Sequence, residues 1–566
     1  MDLNALYYGD NLTILRKFLP DDSVDLVYLD PPFNSSQSYN VIFKDESGRG
    51  SDAQLLAFED TWHWGPSAEE AFAYLTNTQR HAGRVPDSVS SIIAALREGI
   101  GENQMLAYIV EMTVRLVELH RVLKPKGSLY LHCDPTASHY LKVVLDAVFG
   151  PTHFRSEIAW KRSSAHSDTK QGRQVHGHIH DTILFYTKSD EWAWNPIYTE
   201  YDPEYAEKFY RAVEPKTGRR YGLFDITGPG GAAKGNPSYE VMGITRFWRF
   251  SKAEMERLIE AGRVVQAKPG SVPRQKRYLD EMPGVPIQDL WTDIGPIAAQ
   301  ADERLGYPTQ KPVALLERII GTSSNPGDIV LDPFCGCGTA LIAAQKMGRN
   351  WIGMDVTYLA IAVMRARLKD SFGLDDVKVI GQPTELEGAR ALAQSPDGRY
   401  QFQWWALALV DAQPIGGKEK KGSDRGIDGR ITFTGEANKL EQILVSVKSG
   451  HVNSAMVRDL KGTIQREGAT IGLFITLEDA SREMKLEADT AGLYHSQLWN
   501  RDYSKIQIIT IRELLDGRKP VLPAFVAPAY QVAPKLPKQT VQQESLFGGI
   551  TSVPQANDEE LDDVPF

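Results

Sequence analysis

Asp328-Ile329-Val330-Leu331-Asp332-Pro333-Phe334-Cys335-Gly336-Cys337-Gly338-Thr339, then Ala340–Met347, then Trp351-Ile352-Gly353-Met354-Asp355, is the stretch that decides the fold. A short apolar run enters a glycine-rich turn, and the next eight residues have helix-forming composition. A second apolar run then ends in an acid. Strand, glycine turn, helix, strand and acid make the unit in which a ligand approaches bare backbone and a late carboxylate binds ribose hydroxyls. The spacing from Gly338 to Asp355 suits that role. The turn lacks the dinucleotide glycine pattern, and it opens on Asp332. An acid there suits a cationic ligand such as S-adenosylmethionine better than a pyrophosphate.

Three hundred residues upstream, Val24-Asp25-Leu26-Val27-Tyr28-Leu29 reads as a buried strand and runs into Asp30-Pro31-Pro32-Phe33. The prolines remove backbone donors and stiffen the turn, leaving carbonyls to face outward. An acid, a free carbonyl and a ring face can together hold a planar amine. The exocyclic nitrogen of adenine or cytosine is a poor nucleophile because its lone pair is delocalised into the ring. Two acceptors, the Asp30 carboxylate and the Pro31 carbonyl, would bond its hydrogens while Phe33 stacks on the base. A base in a duplex must be flipped out to reach such a pocket.

These two motifs, in this order, resemble the catalytic and cofactor motifs of the beta class of DNA amino-methyltransferases. Tyr8-Gly9-Asp10-Asn11-Leu12, Leu123–His132 and Tyr307-Pro308-Thr309-Gln310-Lys311-Pro312 fit the same plan, and the likeness covers roughly residues 1–375. The resemblance implies a Rossmann-like, mostly parallel α/β sheet with helices on both faces. It gives Asp30, Pro31, Pro32 and Phe33 the target base. Asp332, Phe334, Gly336 and Gly338 take the methionine side of S-adenosylmethionine, Asp355 the ribose, and Thr309 and Lys311 the cofactor carboxylate. Asp10 falls near the adenine end. Family members acting on cytosine N4 usually begin the tetrapeptide with Ser, so Asp30 favours adenine N6, with cytosine N4 as the alternative. Homodimerisation is implied by the class alone.

The 566 residues carry a net charge of −10 and suggest about two to four domains. The deficit is uneven. Residues 151–280 hold 21 Lys and Arg against 16 Asp and Glu, a net of +5, and the remainder a net of −15. Arg211, Lys216, Arg219, Arg220, Arg246, Arg249, Arg274, Lys276 and Arg277 are the phosphate-contact candidates for double-stranded DNA. The target-recognition region is expected at about 165–300. His176, His178 and His180 alternate; a shared strand face is expected, with metal binding as the alternative. Residues 41–105, with Trp62, Trp64 and a helical stretch near Ala68–Leu75, read as an insertion, either a lid or a packed helical insert. Only three cysteines occur, Cys133, Cys335 and Cys337, which argues for a reducing compartment and a cytoplasmic protein. No apolar run approaches the roughly 18 residues of a membrane span, and no signal peptide is visible.

Composition turns to Pro, Gly, Ala and charge at 376–395, which reads as a linker. Residues 396–520 then resemble Mrr-like members of the PD-(D/E)xK restriction-endonuclease fold. Asp428 falls at one strand, and Ser446 and Lys448 on the next. The likeness implies Mg²⁺ at Asp428 with Lys448 activating water. Ser446 stands where an acid or Gln is usual, which separates a bifunctional restriction-modification enzyme from a nuclease-like domain kept for DNA binding or docking. Residues 521–566 read as a disordered tail. Within it, Gln543-Glu544-Ser545-Leu546-Phe547 resembles the peptides by which bacterial proteins dock on the sliding clamp.

Overall fold

The computed structural model describes residues 1–32, 63–163, 174, 176–298, 300–307, 309–395, 398–415, 427–435, 439–524, 526 and 532–536. Phe33, Trp62, Pro308 and the Gln543–Phe547 motif lie outside them. The described residues form two compact units, one of residues 1–195 with 289–536, the other of 196–288.

The first unit is built on a nine-stranded sheet. Its strands in chain order are β1 (Ala5–Tyr8), β2 (Val24–Leu29), β3 (Leu123–Cys133), β4 (Phe154–Lys161), β5 (His180–Thr187), β6 (Leu290–Trp291), β7 (Ile329–Asp332), β8 (Asn350–Asp355) and β9 (Val379–Ile380). Their spatial order is β6-β4-β5-β3-β2-β7-β8-β1-β9. Every pairing is parallel except the two made by β5. Parallel strands are buried on both faces, which is why β2, β3, β7 and β8 are apolar runs without alternation. The register sets Val27 beside Leu331 and Asp332 beside Gly353. The carboxyl ends of β2, β7, β8 and β1 therefore meet along one edge, where ligands of open α/β sheets bind.

Helices α1 (Asn11–Phe18), α2 (Pro66–Thr76), α3 (Asp87–Ile100), α4 (Gln104–Val122) and α5 (Pro135–Phe149) connect the first strands, and α6 (Val313–Ser323), α7 (Thr339–Lys346) and α8 (Tyr358–Phe372) the later ones. In α4 the run Leu106-Ala107-Tyr108-Ile109-Val110, with Met112, Leu116 and Leu119, is wholly buried, and the Asn103 side chain accepts the Leu106 amide as N-cap. Of the insertion, the described part is a packed helical insert. Ala68, Leu75, Val89 and Ile93 join the same core as α4 and β2, and Trp64 meets Phe72 edge-on under Arg97. The alternating histidines do not share a strand. Only His180 lies in β5, and His176 and His178 are exposed ahead of it.

Residues 376–395 correct the linker reading. Val379–Ile380 is β9, paired with β1, and Leu386–Gln394 forms helix α9. Gly381 and Pro383 sit between these elements, and Gly388 lies within α9. Helix α10 (Gly398–Ala408) follows, and its Gln401 accepts hydrogen bonds from Tyr8 Oη at 3.3 Å and the Tyr358 amide at 3.2 Å. Beyond it, β10 (Gln413–Pro414), β11 (Gly429–Thr434), β12 (Leu440–Lys448), β13 (Ile471–Thr476) and β14 (Ile506–Thr510) form a five-stranded sheet in that order. The first three pair antiparallel and the last three parallel. The described part of the tail is docked rather than free. The Ala533 amide donates to Asp370, the Leu536 amide donates to the Ser371 carbonyl, and Ala533 is buried.

The second unit has its own sheet, ordered Val264–Val265, Arg274–Tyr278, Arg220–Asp225, Ala212–Val213, and its own small core of Ile226, Val241, Trp248, Met255 and Val264. Among the described residues no helix is long and apolar enough to cross a membrane.

At Gly353 in β8, α7 and the turn before it pack tightly against the sheet. A Cβ there would lie 2.6 Å from Leu341 Cδ2 and 2.8 Å from Cys335 Sγ. Gly353→Val is expected to cost about 1–3 kcal/mol through overpacking, read as a lowered urea midpoint with an unchanged slope.

Candidate active site

The glycine turn after β7 is held from three sides. Asp332 Oδ1 accepts the Phe334 amide at 3.0 Å, the Cys335 amide donates to the Met354 carbonyl, and the Gly336 amide donates to Asp355 Oδ2 at 3.0 Å. Gly336 and Gly338 have φ of +52° and +76°, a region that favours glycine. Arg367, buried on α8, donates from Nη1 to the Cys337 carbonyl and Thr339 Oγ1, both at 3.1 Å. Asn11 at the start of α1 donates to the Pro333 carbonyl at 2.9 Å. Burial pushes the Cys335 and Cys337 thiols up, so both are small turn residues rather than nucleophiles.

Three carboxylates converge at this edge. Asp332 is 3% exposed, and burial, reinforced by the charges of Asp30 and Asp355, pushes it up to about 8. Its Oδ2 takes no hydrogen bond from a described residue. Burial raises Asp355 to about 6, although Thr357 and Gly336 donate to it. Asp30 directly follows β2, and its Oδ2 lies 2.5 Å from Lys311 Nζ. A buried acid with a spare oxygen beside glycines that leave backbone bare is a suitable holder for a ligand's cationic group. The residues present thus fit S-adenosylmethionine.

The structure brings Asp30, Lys311, Asp332, Phe334, Gly336, Gly338 and Asp355 to one region. Pro31 is buried and Pro32 half-buried beside them. Thr309 is exposed, with no side-chain bond to a described residue. Lys311 pairs with Asp30, whereas the resemblance set it by the cofactor carboxylate. Asp10 is at the same sheet end but serves as N-cap of α1: Oδ2 accepts from the Thr13 amide and hydroxyl, and Oδ1 from Arg115. Sequence reasoning missed a buried chain beneath Asp30. Tyr28 Oη meets His132 Nδ1 at 3.0 Å, His132 Nε2 meets Asp181 Oδ2 at 3.0 Å, and Arg162 pairs with Asp181. The signal was there: Tyr28 lies two residues before Asp30 and shares its strand face.

In the C-terminal sheet, Asp428, Ser446 and Lys448 do meet. Asp428 Oδ2 accepts the Val447 amide at 2.6 Å, Ser446 Oγ is 3.4 Å away and Lys448 Nζ 3.6 Å. The donor set does not fit the expected Mg²⁺. Among the described residues Asp428 is the one carboxylate beside Ser446 and Lys448, and no cluster of three or more His, Cys, Asp or Glu suited to a metal occurs there. In the second unit, Arg219 is bound to Asp280 and Glu281, and Lys276 to Glu214. Arg220 and Arg249 donate to backbone carbonyls, and Arg277 donates to Gln275. Arg211, Lys216, Arg246 and Arg274 are exposed and remain as phosphate-contact candidates.

Asp332 is protonated in the folded state over a range where it ionises in the unfolded chain. A raised acid contributes stability that is complete below its ordinary value of 3.8 and lost as pH climbs toward about 8. Asp332→Asn is therefore expected to raise Tm relative to the native protein at pH 8, with the difference shrinking toward pH 4. Melting curves across that range check it.

Residues 24–363 match the family model described as DNA methylase of the N6/N4 type, and residues 410–516 match that of the NACHT-associated inactive restriction endonuclease 1 family. The type II methyltransferase M.EcaI of Enterobacter cloacae is 32% identical over 264 residues, 46% of this chain and 57% of that protein. The Mod subunit of the type III restriction-modification enzyme StyLTI of Salmonella typhimurium is 24% identical over 364 residues, 61% of this chain and 50% of that protein. The chain thus spans little more than half the length of these relatives. The DNA adenine methyltransferase YhdJ of Escherichia coli is 24% identical over 379 residues, 66% of this chain and 87% of that protein. A Thermus thermophilus structure, described as a DNA modification methylase with S-adenosyl-L-methionine, aligns at a TM-score of 0.32 and 17% identity over 67% of this chain and 99% of its own. With more than half of its length covered by the family model, the chain belongs to the N6/N4 DNA methylase family.

Proposed function

We propose that the protein is an S-adenosylmethionine-dependent DNA methyltransferase of the beta class, acting on adenine N6 of a flipped base. The observation that carries this reading is the convergence of Asp30, Asp332 and Asp355 at one sheet edge around a glycine turn. Asp332 holds the cationic amino group of the cofactor, Asp355 its ribose hydroxyls, and Gly336 and Gly338 let it lie against backbone. When bound, the cofactor supplies a methyl group activated by a sulfonium. Asp30 and the Pro31 carbonyl accept the two amine hydrogens, which turns the nitrogen lone pair out of conjugation and aims it. The Asp30 carboxylate also balances the positive charge that grows on that nitrogen. Phe33 stacks on the base. The Tyr28–His132–Asp181 chain fixes the strand face on which Asp30 stands. Adenine is favoured over cytosine by Asp at the head of the tetrapeptide and by the likeness to YhdJ, which is named an adenine enzyme. Residues of the 196–288 unit take the DNA, through Arg211, Lys216, Arg246 and Arg274.

The test is transfer of label from S-adenosylmethionine to unmethylated DNA, with the nucleosides identified. Label is expected in N6-methyladenine, falling at least about 100-fold in Asp30→Ala. Label in N4-methylcytosine would overturn the base assignment, and no label in DNA would overturn the reading.

For the C-terminal domain we infer a PD-(D/E)xK-like fold that binds without cutting. Ser446 stands at a ligand position, serine is a poor Mg²⁺ ligand, and the matching family is described as inactive. With Mg²⁺, both methylated and unmethylated plasmid should stay intact under conditions that support methylation; strand breaks that vanish in Lys448→Ala would reverse this.

A further inference from the structure

Lys311 stands on Asp30, and from that one position its charge acts on the acids around it. Its Nζ sits 2.5 Å from Asp30 Oδ2, on the very group assigned to receive an amine. An ammonium there opposes the positive charge that the attacking nitrogen gains. Its field also favours the ionised forms of Asp332, at the glycine turn, and of Asp181, in the chain beneath Asp30. The root of Lys311 is pinned while its tip is long and flexible. Gln310 accepts the Leu305 amide at 2.8 Å and donates to the Glu303 carbonyl, Glu303 accepts the Val313 amide, and Pro312 follows directly. The same segment lies along the glycine turn, since a Cβ on Gly336 would be 3.1 Å from the Tyr307 ring. A lysine is a compact charge on a four-carbon stem with three rotatable donors. From this root it can serve an anion on either side of the turn.

We propose that Lys311 is a shared positioning residue. It pairs with Asp30 in the arrangement seen here and transfers to the carboxylate of the cofactor's amino-acid end when that end is seated, which frees Asp30 to accept the target amine. Base capture is thereby coupled to cofactor binding. The inference rests on the proposed function. It adds that Asp30 and the cofactor compete for one cation.

Competition has a sign that other roles for Asp30 lack. Neutralising Asp30 should release Lys311 and tighten the cofactor, although a negative charge has been removed from the neighbourhood of a cationic ligand. The probe is S-adenosylhomocysteine, which keeps the carboxylate and lacks the sulfonium. Calorimetric titration is made on the full chain and on Asp30→Asn, Lys311→Met and the double variant, with melting curves to confirm folding. Asp30→Asn is expected to bind about fivefold or more tighter than the native protein, and Asp30→Ser should do the same. Lys311→Met is expected to bind more weakly, and adding Asp30→Asn to it should change nothing. Lys311→Arg should retain part of the tightening. If Asp30→Asn weakens binding or leaves it unchanged, or tightens it equally without Lys311, the exchange is wrong while the methyltransferase reading stands. If the native protein binds no S-adenosylhomocysteine, both fall.

Discussion

Parallel pairing of β2, β7 and β8 in one register is the constraint from which the rest follows. It forces the acids at or just past the ends of three strands to emerge together at one sheet edge. Like charges close together in a poorly solvated place are costly, and the protein answers in three ways. Asp332 stays protonated over much of the neutral range. Asp355 is met by backbone and hydroxyl donors. Asp30 is met by Lys311. The edge is thus short of positive charge by design, which suits a ligand that brings its own. Arg367 and Asn11 hold the glycine turn by bonding to its carbonyls, so that the turn keeps its shape without side chains of its own filling the space.

Much of this was legible in the sequence, because buried parallel strands are continuous apolar runs and glycine turns are conspicuous between them. Asp30, Asp332 and Asp355 each lie at the end of such a run, so their meeting follows once parallel order is assumed. Asp428, Ser446 and Lys448 were legible for a related reason: neighbouring antiparallel strands bring an acid before one strand close to residues late in the next. What the sequence did not disclose were the pairings made across long separations. Lys311 and Asp30 are 281 residues apart, and nothing local in Thr309-Gln310-Lys311 says which acid the lysine will choose. The basic residues of the second unit behaved likewise. Charge counting treats Arg219 and Arg246 alike, yet one is tied to acids within its own fold and the other is exposed.

The misread stretch at 376–395 has a physical cause as well. Gly381 and Pro383 look like the composition of a spacer, yet a two-residue strand and a nine-residue helix need few residues to declare themselves. Short elements carry too little periodicity to outweigh glycine and proline nearby. Tertiary contacts decide them, here β9 against β1 and α9 beside α10.

Gln401 gives the two-fold plan of the first unit a different meaning. It belongs to the helix that leads into the C-terminal sheet, yet its side chain accepts from Tyr8, at the end of β1, and from the amide of Tyr358, three residues beyond Asp355. The two folds are therefore not beads on a string. The boundary between them is joined by side-chain bonds at the end of β1 and the start of α8, close to Asp355. Fusion in this protein therefore reaches into the end of the first sheet through the connecting helix.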